Sequence, residues 1–387
     1  MPRATFDAER AVQERYGRAA QAPERELCCP TSYDRRYLEA IPEEILQRDF
    51  GCGDPTPYLQ PGDTVLDLGS GAGKICFIAA QMVGPKGRVI GVDFNSDMLA
   101  LARKHQPEVA RRLGYDNVTF LRGRIQDLAL PMDEVEAYLA ARPVRSAAAL
   151  AEFEAFAERL RATAPLIPND SVDVIVSNCV LNLVKDTDKV KLFAEMYRVL
   201  KRGGRVAISD IVSDEDVPAA MRRDPKLWSG CISGAFREDK FLEAFERAGF
   251  YGIEIARRDD RPWQTVRGIE FRSVTVTARK GKEGPCLERN QAVIYKGPWK
   301  EVRDDDGHVL RRGQRMAVCD KTYKILTSAP YAEETIPVPP RRAVPLSQAR
   351  GFVCSGAALR DPRETKGKRY RKTTAAAKSV CGPEGCC

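Results

Sequence analysis

The sequence has very little histidine and no long apolar run. Only two of its 387 residues are histidine, His105 and His308, so a catalytic zinc centre built on several imidazoles is not expected, and each histidine is predicted to be a surface residue. No apolar stretch approaches the roughly 20 residues that a membrane-spanning helix needs. The charged start MPRATFDAERAVQERYGRAA also lacks the apolar core of a secretory signal. We therefore expect a cytoplasmic protein without membrane insertion.

The chain also lacks a nucleic-acid recognition motif, although its formal net charge is +8. Many of the excess basic residues lie between Arg341 and Lys378, in a polar segment with few acids. This composition favours a solvated tail, and the interleaving of aromatic and basic residues typical of single-strand binding is missing. No nucleic-acid partner is predicted, and nucleic-acid modification is an alternative without a supporting motif.

Short apolar segments predict one largely parallel sheet. Between Thr64 and Asp210 they alternate with helical patterns, as parallel strands joined by crossover helices do. The seven candidate strands are TVLDLG, RVIGVDF, VTFLRG, VDVIVSN, RVAISD, YGIEIA and FRSVTVTARK. The predicted fold class is α/β, a Rossmann-like seven-stranded core with a small β-rich C-terminal domain and a flexible, cysteine-containing tail.

The length suits about two domains with appendages, because single cores stop growing beyond ~250 to 300 residues. Changes in composition predict four successive regions: a helical segment with thiols, a core domain, a small β-rich domain and a basic, cysteine-ended tail, at residues 1–60, 61–281, 282–340 and 341–387. Inside the core, residues 129–168 are predicted to be a helical insertion of unassigned function, and residues 211–250 a crossover connection.

The segment VLDLGSGAGK predicts a ligand-binding loop between a strand and a helix. Gly69, Gly71 and Gly73 would let the backbone approach a ligand, with helix N-terminal amides pointing at it. Asp93 ends the next strand, where an acidic residue can bind both hydroxyls of a ribose. The spacing differs from the dinucleotide G-x-G-x-x-G, and Asp67 lies where a carboxylate would meet an ammonium group.

At these residues the segment resembles the Rossmann-like S-adenosylmethionine methyltransferases, whose first motif is DLGSGxG, whose second ends in this aspartate, and whose third reads GRIQDL here. The resemblance implies S-adenosylmethionine as the cofactor, with Ile125 and Gln126 flanking its adenine. The implied cofactor-binding residues are Asp67, Gly69, Ser70, Gly71, Gly73, Asp93, Phe94, Ile125, Gln126 and Asn178. A nicotinamide-dependent oxidoreductase is the alternative for this loop.

Cysteine is abundant, with twelve residues, and in a long chain without an export signal it indicates metal binding or thiol chemistry. Cys179 follows the fourth strand, Cys231 lies in the crossover after the fifth, and Cys52 lies between glycines just before the core. Each alone is typical of packing or of a loop. The topology brings all three to one face of the sheet, near a methyl donor, and three thiolates form the ligand set of a thiophilic ion.

The remaining cysteines of the folded regions are predicted to be structural. Cys76 lies on the apolar face of the helix after the glycine loop, which indicates a core residue. The spacing of Cys286, Cys319 and Cys354 indicates no ligand role.

The strings GCG, DLGSGAGK, SNCVLNLV, YRVLKRGG and LWSGCISGAF and the ending GCC resemble the arsenite S-adenosylmethionine methyltransferases, in order and with similar separations. The resemblance covers most of the chain but not the predicted insertion. It implies that Cys52, Cys179 and Cys231 bind trivalent arsenic and carry the chemistry, with Cys231 in the crossover at residues 211–250. It also implies a further upstream cysteine, for which Cys28 and Cys29 are both candidates.

The implied reaction methylates arsenite or its thiol conjugates and gives methylated arsenicals, as in arsenic detoxification. Arsenic on three sulfurs keeps a lone pair that can attack the sulfonium methyl without a general base. Methylation oxidises arsenic, and a disulfide between Cys52 and Cys28 or Cys29 would restore the trivalent state, with thioredoxin or glutathione as the external reductant. The alternatives are a methyltransferase of the same fold acting on another small nucleophile and a non-catalytic, thiol-rich metalloid-binding protein.

Overall fold

The structure is a computed structural model and describes residues 7–22, 24, 31–48, 50–354 and 358–365. The chain divides into two compact units, Met1–Gly281 and Lys282–Cys387. Among the described residues, no helix combines the length and the apolar character needed to cross a membrane.

The first unit alternates helices and strands. Its helices are α1 (Ala8–Gln21), α2 (Arg35–Leu38), α3 (Glu43–Leu46), α4 (Lys74–Val83), α5 (Ser96–Leu113), α6 (Met132–Ala141), α7 (Ala147–Thr163), α8 (Asp186–Val199), α9 (Ala219–Arg222), α10 (Pro225–Ser229) and α11 (Glu238–Arg247). Its strands are β1 (Thr64–Leu68), β2 (Arg88–Asp93), β3 (Val118–Arg122), β4 (Val172–Asn178), β5 (Leu200–Ser213), β6 (Phe236–Arg237), β7 (Tyr251–Arg258), β8 (Gln264–Val266) and β9 (Ile269–Arg279).

These strands form one sheet with the order β3-β2-β1-β4-β5-β9-β7, and the short β6 and β8 pair with β5 and β9. Strands β1 to β5 are parallel, while β9 is antiparallel to both β5 and β7. The seven strands predicted from the sequence all lie in this sheet, so the predicted Rossmann-like, mostly parallel fold is confirmed. The chain order reverses direction between β1 and β4, and a ligand crevice opens at such a point, at the carboxyl ends of the strands.

The two faces of the sheet are covered by separate apolar layers. In β1 and β4, Val65 and Val174 pack into the layer that contains α4 and α5, whereas Leu66 and Ile175 pack into the layer that contains α8 and α11. This alternation follows from the two-residue side-chain period of a strand. Because both faces are buried, the edge formed by the strand ends is the place for ligand-binding groups.

Residues 129–168 contain the helices α6 and α7. The two helices share a small apolar cluster of their own, in which the rings of Tyr138 and Phe156 stack with centroids 4.2 Å apart. The Arg161 guanidinium lies 2.8 Å from the Asp127 carboxylate and ties α7 to the segment after β3.

The second unit is rich in short strands. Its elements are β10 (Leu287–Glu288), β11 (Gln291–Tyr295), β12 (Glu301–Arg303), β13 (Val309–Arg311), β14 (Arg315–Val318), α12 (Asp320–Leu326), β15 (Thr335–Val338) and β16 (Arg350–Gly351). A three-stranded antiparallel sheet has the order β14-β11-β15, and two-stranded ribbons pair β12 with β13 and β10 with β16.

Two expectations for this unit need correction. The basic tail was predicted to begin at residue 341, but β16 pairs with β10, and the buried Thr365 accepts a hydrogen bond of 3.2 Å from Arg315. Described structure therefore continues beyond residue 341, over residues 341–354 and 358–365, because strand pairing supplies contacts that the polar composition did not indicate. His308 was predicted to be a surface residue, but it is buried, and its Nδ1 lies 2.7 Å from Asp304.

Candidate active site

An open cavity of about 1220 Å³, counting the space open to solvent, lies at the carboxyl ends of β1, β2 and β4. Nine of the ten predicted cofactor-binding residues line it: Asp67, Gly69, Ser70, Gly71, Asp93, Phe94, Ile125, Gln126 and Asn178. The exception is Gly73, which has a φ of 91° at the start of α4. A Cβ at Gly73 would lie 2.7 Å from the Phe120 ring, so this glycine permits helix–sheet packing.

The glycine loop leaves room for a ligand. Gly69 and Gly71 have φ values of 71° and 51°, in the left-handed region that glycine adopts at little cost. A Cβ at Gly69 would lie 2.4 Å from Val180, whereas a Cβ at Gly71 would meet no atom within 4 Å. Between them, the Ser70 hydroxyl oxygen is buried and has no hydrogen-bond partner among the described residues. A polar group of a ligand can satisfy it.

Two carboxylates lie at the rim of this loop. Asp67 is the penultimate residue of β1, is only 2% exposed, and accepts a hydrogen bond of 3.2 Å from the Cys76 thiol. Asp93 ends β2 and accepts the amide hydrogens of Gly71 at 2.8 Å and Asn95 at 2.7 Å. Desolvation raises the pKa of the Asp93 carboxyl above its ordinary value, although these backbone hydrogen bonds oppose the shift.

The cavity fits S-adenosylmethionine. Asp67 offers a carboxylate to an ammonium group, Asp93 offers one to ribose hydroxyls, and Phe94 and Ile125 supply apolar surface for an adenine. The unpaired Ser70 hydroxyl and the open space at Gly71 provide the polar contact and the close approach that such a ligand needs.

Next to this cavity, Cys52, Cys179 and Cys231 share one buried apolar cluster. The sulfurs of Cys52 and Cys179 and a carboxylate oxygen of Asp210 all lie within 4.8 Å of one another. Cys231 is outside this close group of three, but its Sγ donates a hydrogen bond of 3.3 Å to the Cys179 carbonyl oxygen. Cys179 also lines the cofactor cavity, so the thiol cluster adjoins the cavity.

Cys179 and Cys231 have the left-handed backbone that non-glycine residues rarely adopt, with φ values of 64° and 62°. Such a conformation costs of order 1–3 kcal/mol and persists where the surroundings enforce it, most often at functional sites. For Cys179, part of that enforcement is the hydrogen bond of 2.8 Å from its amide to the Ser209 carbonyl of β5.

Asp210, on β5, is the acidic member of the thiol cluster. It is 1% exposed and accepts hydrogen bonds from the Leu181 amide at 2.9 Å, the Asn182 side chain at 2.7 Å and the Ile211 amide at 2.8 Å. Burial raises the pKa of the Asp210 carboxyl to about 7. Sequence reasoning missed this residue, although its place near the carboxyl edge of a parallel strand was a usable signal.

Asn178 joins the cofactor cavity to the thiol cluster. Its side-chain oxygen accepts the amide hydrogens of Cys52 at 2.9 Å and Gly53 at 3.1 Å, and its Nδ2 donates to the Gly53 carbonyl at 2.8 Å. Nδ2 also bonds the Tyr33 hydroxyl at 2.9 Å. The residue predicted to contact the cofactor therefore also fixes the backbone that carries Cys52.

Helix α1 adds a wall that sequence reasoning did not anticipate. Tyr16 on this helix lines the cavity, and burial, together with the neighbouring Cys231 and Cys179, raises the pKa of its phenol well above the ordinary value. Its ring also meets Phe50 edge-on, with centroids 5.9 Å apart. No local pattern in the sequence signals this long-range contact.

The other candidate thiols separate into two groups. Cys76 is fully buried in the core, as predicted, and burial and the nearby Asp67 raise the pKa of its thiol. Cys28 and Cys29, the proposed upstream redox candidates, lie outside the described residues.

The parallel sheet and the cavity at its switch point are those of an S-adenosylmethionine-dependent methyltransferase, and the sequence profile of a methyltransferase domain matches residues 59–249. The profile of a domain of unknown function matches residues 282–370. The chain is therefore an S-adenosylmethionine-dependent methyltransferase with S-adenosylmethionine as its cofactor.

The relatives of the chain define its family. It is 32% identical to the arsenite methyltransferase of Aquipseudomonas alcaligenes over 343 residues, which cover 83% of this chain and 88% of that protein. It is 29% identical to the arsenite methyltransferase of Homo sapiens, over 91% of this chain and 87% of that protein. The protein belongs to the arsenite methyltransferase family.

A solved structure supports the same assignment. The crystal structure of an arsenic(III) S-adenosylmethionine methyltransferase from Chlamydomonas reinhardtii is similar, with a TM-score of 0.51 and 26% sequence identity. The similarity covers 86% of this chain and 100% of the other chain.

Proposed function

We propose that this protein transfers the methyl group of S-adenosylmethionine to trivalent arsenic held on the thiolates of Cys52, Cys179 and Cys231. The observation that carries the proposal is the approach of the Cys52 and Cys179 sulfurs within 4.8 Å beside the cofactor cavity. Arsenite, or its thiol conjugates, is the proposed substrate, in keeping with the names of the family's members.

The thiol cluster suits trivalent arsenic as a ligand set. Arsenic(III) is thiophilic and takes three sulfurs in a pyramid, and each thiol releases a proton when its sulfur binds. Cys52 and Cys179 are already close. Cys231, whose sulfur is hydrogen-bonded to the Cys179 carbonyl, completes the set when its thiol gives up that hydrogen bond.

The buried surroundings keep the reaction away from water. Cys52, Cys179 and Cys231 are each 5% exposed or less, and Tyr16 on α1 adjoins both the thiols and the cavity. A dry site preserves the arsenic–sulfur bonds and the orientation of the arsenic lone pair toward the cavity.

The chemistry needs no general base from the protein. S-adenosylmethionine supplies an electrophilic methyl group, which forms a carbon–arsenic bond with the lone pair as its carbon–sulfur bond breaks, leaving S-adenosylhomocysteine. Arsenic is thereby oxidised from the trivalent to the pentavalent state. The role of the chain is to hold the arsenic in line, through the left-handed Cys179 and Cys231.

A thiol pair returns the arsenic to the trivalent state. Two thiolates supply two electrons and become a disulfide, for which Cys52 with Cys28 or Cys29 is the proposed pair. Thioredoxin or glutathione then reduces the disulfide by thiol exchange. In a cytoplasmic setting, this cycle would serve arsenic detoxification.

The test is turnover of the full chain with S-adenosylmethionine, a thiol reductant and arsenite, with methylated arsenicals followed by chromatography with element detection. Parallel reactions offer selenite and small carbon or nitrogen acceptors. We expect methylated product from arsenite. Methylation of another acceptor without any methylation of arsenite would favour a different small-molecule methyltransferase. Arsenite binding in the absence of S-adenosylmethionine, with no turnover when it is added, would favour a metalloid-binding protein.

A further inference from the structure

The second unit brings together three cysteines that are far apart in the sequence. The sulfurs of Cys286, Cys319 and Cys354 all lie within 4.8 Å of one another, and all three thiols are free. Their spacing in the chain indicated no ligand role, so this cluster arises from tertiary packing. It is built entirely from residues of the second unit.

Each sulfur comes from a different structural segment. Cys286 precedes β10 and Cys354 follows β16, and the ribbon between them is closed by a hydrogen bond of 2.9 Å from the Phe352 amide to the Cys286 carbonyl. Cys319 lies between β14 of the three-stranded sheet and α12. A ligand bound by all three sulfurs would therefore join the ribbon to the sheet and the helix.

The local polar groups favour a thiolate at Cys319. The Cys319 sulfur accepts a hydrogen bond from the Thr322 amide at 3.4 Å and lies 3.2 Å from the Thr322 hydroxyl. Hydrogen bonds to sulfur stabilise the charged form. Cys319 is fully buried, whereas Cys286 and Cys354 are partly exposed, so an ion can enter from the side of the ribbon.

A buried imidazole lies near the same cluster. His308 is 6% exposed, and its Nε2 has no hydrogen-bond partner among the described residues. Its Nδ1 is held by Asp304 at 2.7 Å, the arrangement that orients many metal-binding histidines. That hydrogen bond raises the pKa of His308, and Cys319 is among the nearby acidic groups that contribute.

We propose that Cys286, Cys319 and Cys354 bind one thiophilic ion as thiolates, at a site separate from the methyl-transfer site. The three thiols form three sulfur–ion bonds with no change in oxidation state. With arsenite, the three thiol protons leave with its three hydroxyl groups as water; with zinc(II), the protons go to solvent and the thiolates replace bound waters. Two ions share this chemistry. Trivalent arsenic is complete with three sulfurs, whereas zinc(II) takes a fourth ligand. His308 lies outside the group of sulfurs within 4.8 Å of one another, so it must move toward them to serve as that ligand.

A bound ion has a clear structural purpose in this unit. Among the described residues, the apolar cluster that forms its core has six buried members, Val293, Tyr295, Leu310, Met316, Val318 and Leu326. Small folds with small cores commonly rely on a metal or a disulfide for stability. The ion adds a cross-link at the junction of three segments, and its binding free energy becomes folding free energy.

The test counts ions bound to the full chain after purification under reducing, metal-free conditions, with zinc(II) or arsenite added in separate arms. The test variant is Cys354→Ser, because a partly exposed side chain tolerates the exchange of sulfur for oxygen. Cys319→Ser is the second variant. We expect each variant to bind one ion fewer than the native chain when zinc(II) is added, when arsenite is added, or in both cases. Cys386→Ser/Cys387→Ser serves as the control for unrelated thiols and should retain that ion.

Two measurements identify the ion and guard against misfolding. X-ray absorption should give three sulfur neighbours, at about 2.3 Å for zinc, and His308→Gln should weaken zinc binding but not arsenic binding. Circular dichroism and S-adenosylmethionine binding report whether each variant folds. Equal ion counts for native protein and folded variants in both arms would overturn the proposal, as would a disulfide among these cysteines in the reduced protein. Since no turnover is measured, this result is independent of the proposed function.

Discussion

The Cys231 sulfur donates a hydrogen bond of 3.3 Å to the carbonyl oxygen of Cys179, and both residues have a left-handed backbone. The contact joins the crossover after β5 to the loop after β4. Each cysteine is therefore positioned by the other's segment as well as by its own. A local change in either loop is expected to disturb arsenic binding while leaving the cofactor loop intact.

Asp210 is expected to organise the thiol cluster. In Asp210→Asn, one carboxylate oxygen is replaced by an amide nitrogen, which cannot accept the hydrogen bonds of the Leu181 and Asn182 segment. Leaving these buried groups without an acceptor costs about 1–3 kcal/mol of local stability, so the loop after Cys179 should shift and arsenite affinity should fall about tenfold or more. Calorimetric titration with arsenite measures this.

The control for this variant is Asp188→Asn, a half-buried carboxylate of α8 that lies 3.6 Å from Lys191, which should bind arsenite as the native chain does. S-adenosylmethionine affinity should change little in both variants. Native arsenite affinity in Asp210→Asn would show that the carboxylate does not support the thiols.

Gly53→Ala tests the placement of Cys52. A Cβ at Gly53 would lie 2.6 Å from the Ser209 Cβ, so the segment that carries Cys52 must shift away from β5. We expect arsenite turnover to fall at least tenfold with S-adenosylmethionine affinity preserved, because a displacement of about 1 Å can cost a hundredfold in rate. Gly351→Ala, where no atom lies within 4 Å of the added Cβ, is the matched control, and an equal effect there would contradict the explanation.

The raised pKa of Asp93 predicts how S-adenosylmethionine binding depends on pH. Burial raises the pKa of this carboxyl, so on acidification it protonates before an ordinary aspartate does, and the protonated group no longer serves as a double acceptor for ribose hydroxyls. S-adenosylmethionine affinity of the native chain should therefore weaken at a pH above the ordinary aspartate range. Calorimetric titrations over pH measure it.

For Asp93→Asn, we expect affinity about tenfold to a hundredfold weaker at neutral pH, with the acid-induced loss reduced. Asp97→Asn, an exposed change at the start of α5, should keep the native profile. If Asp93→Asn lost S-adenosylmethionine affinity on acidification as steeply as the native chain does, the group that titrates would be one other than Asp93.

Much of the fold was predictable because its signals are local. Asp67, Asp93 and Asn178 lie at or next to the ends of short apolar strand segments, and parallel pairing places the carboxyl ends of these strands at one edge of the sheet. The glycine loop requires positive φ at Gly69 and Gly71, which only a few residue types allow. Local backbone requirements of this kind appear directly in the sequence.

The remaining features depend on contacts between distant segments. Tyr16 reaches the thiols only because α1 packs beside the cavity, and Asp210 acts through hydrogen bonds to the segment after Cys179. Cys286 and Cys354 meet only because β10 pairs with β16. No spacing rule encodes these pairings, so composition and periodicity could not reveal them.

The most direct test of the central claim is a single turnover with arsenite preloaded on the enzyme and methyl-labelled S-adenosylmethionine added, for the native chain and for Cys179→Ser. Label transferred to arsenic by the native chain, with at least a hundredfold loss in a Cys179→Ser variant that still binds S-adenosylmethionine, is the predicted result. Equal transfer to arsenic by both proteins would contradict methylation on the Cys179 thiolate.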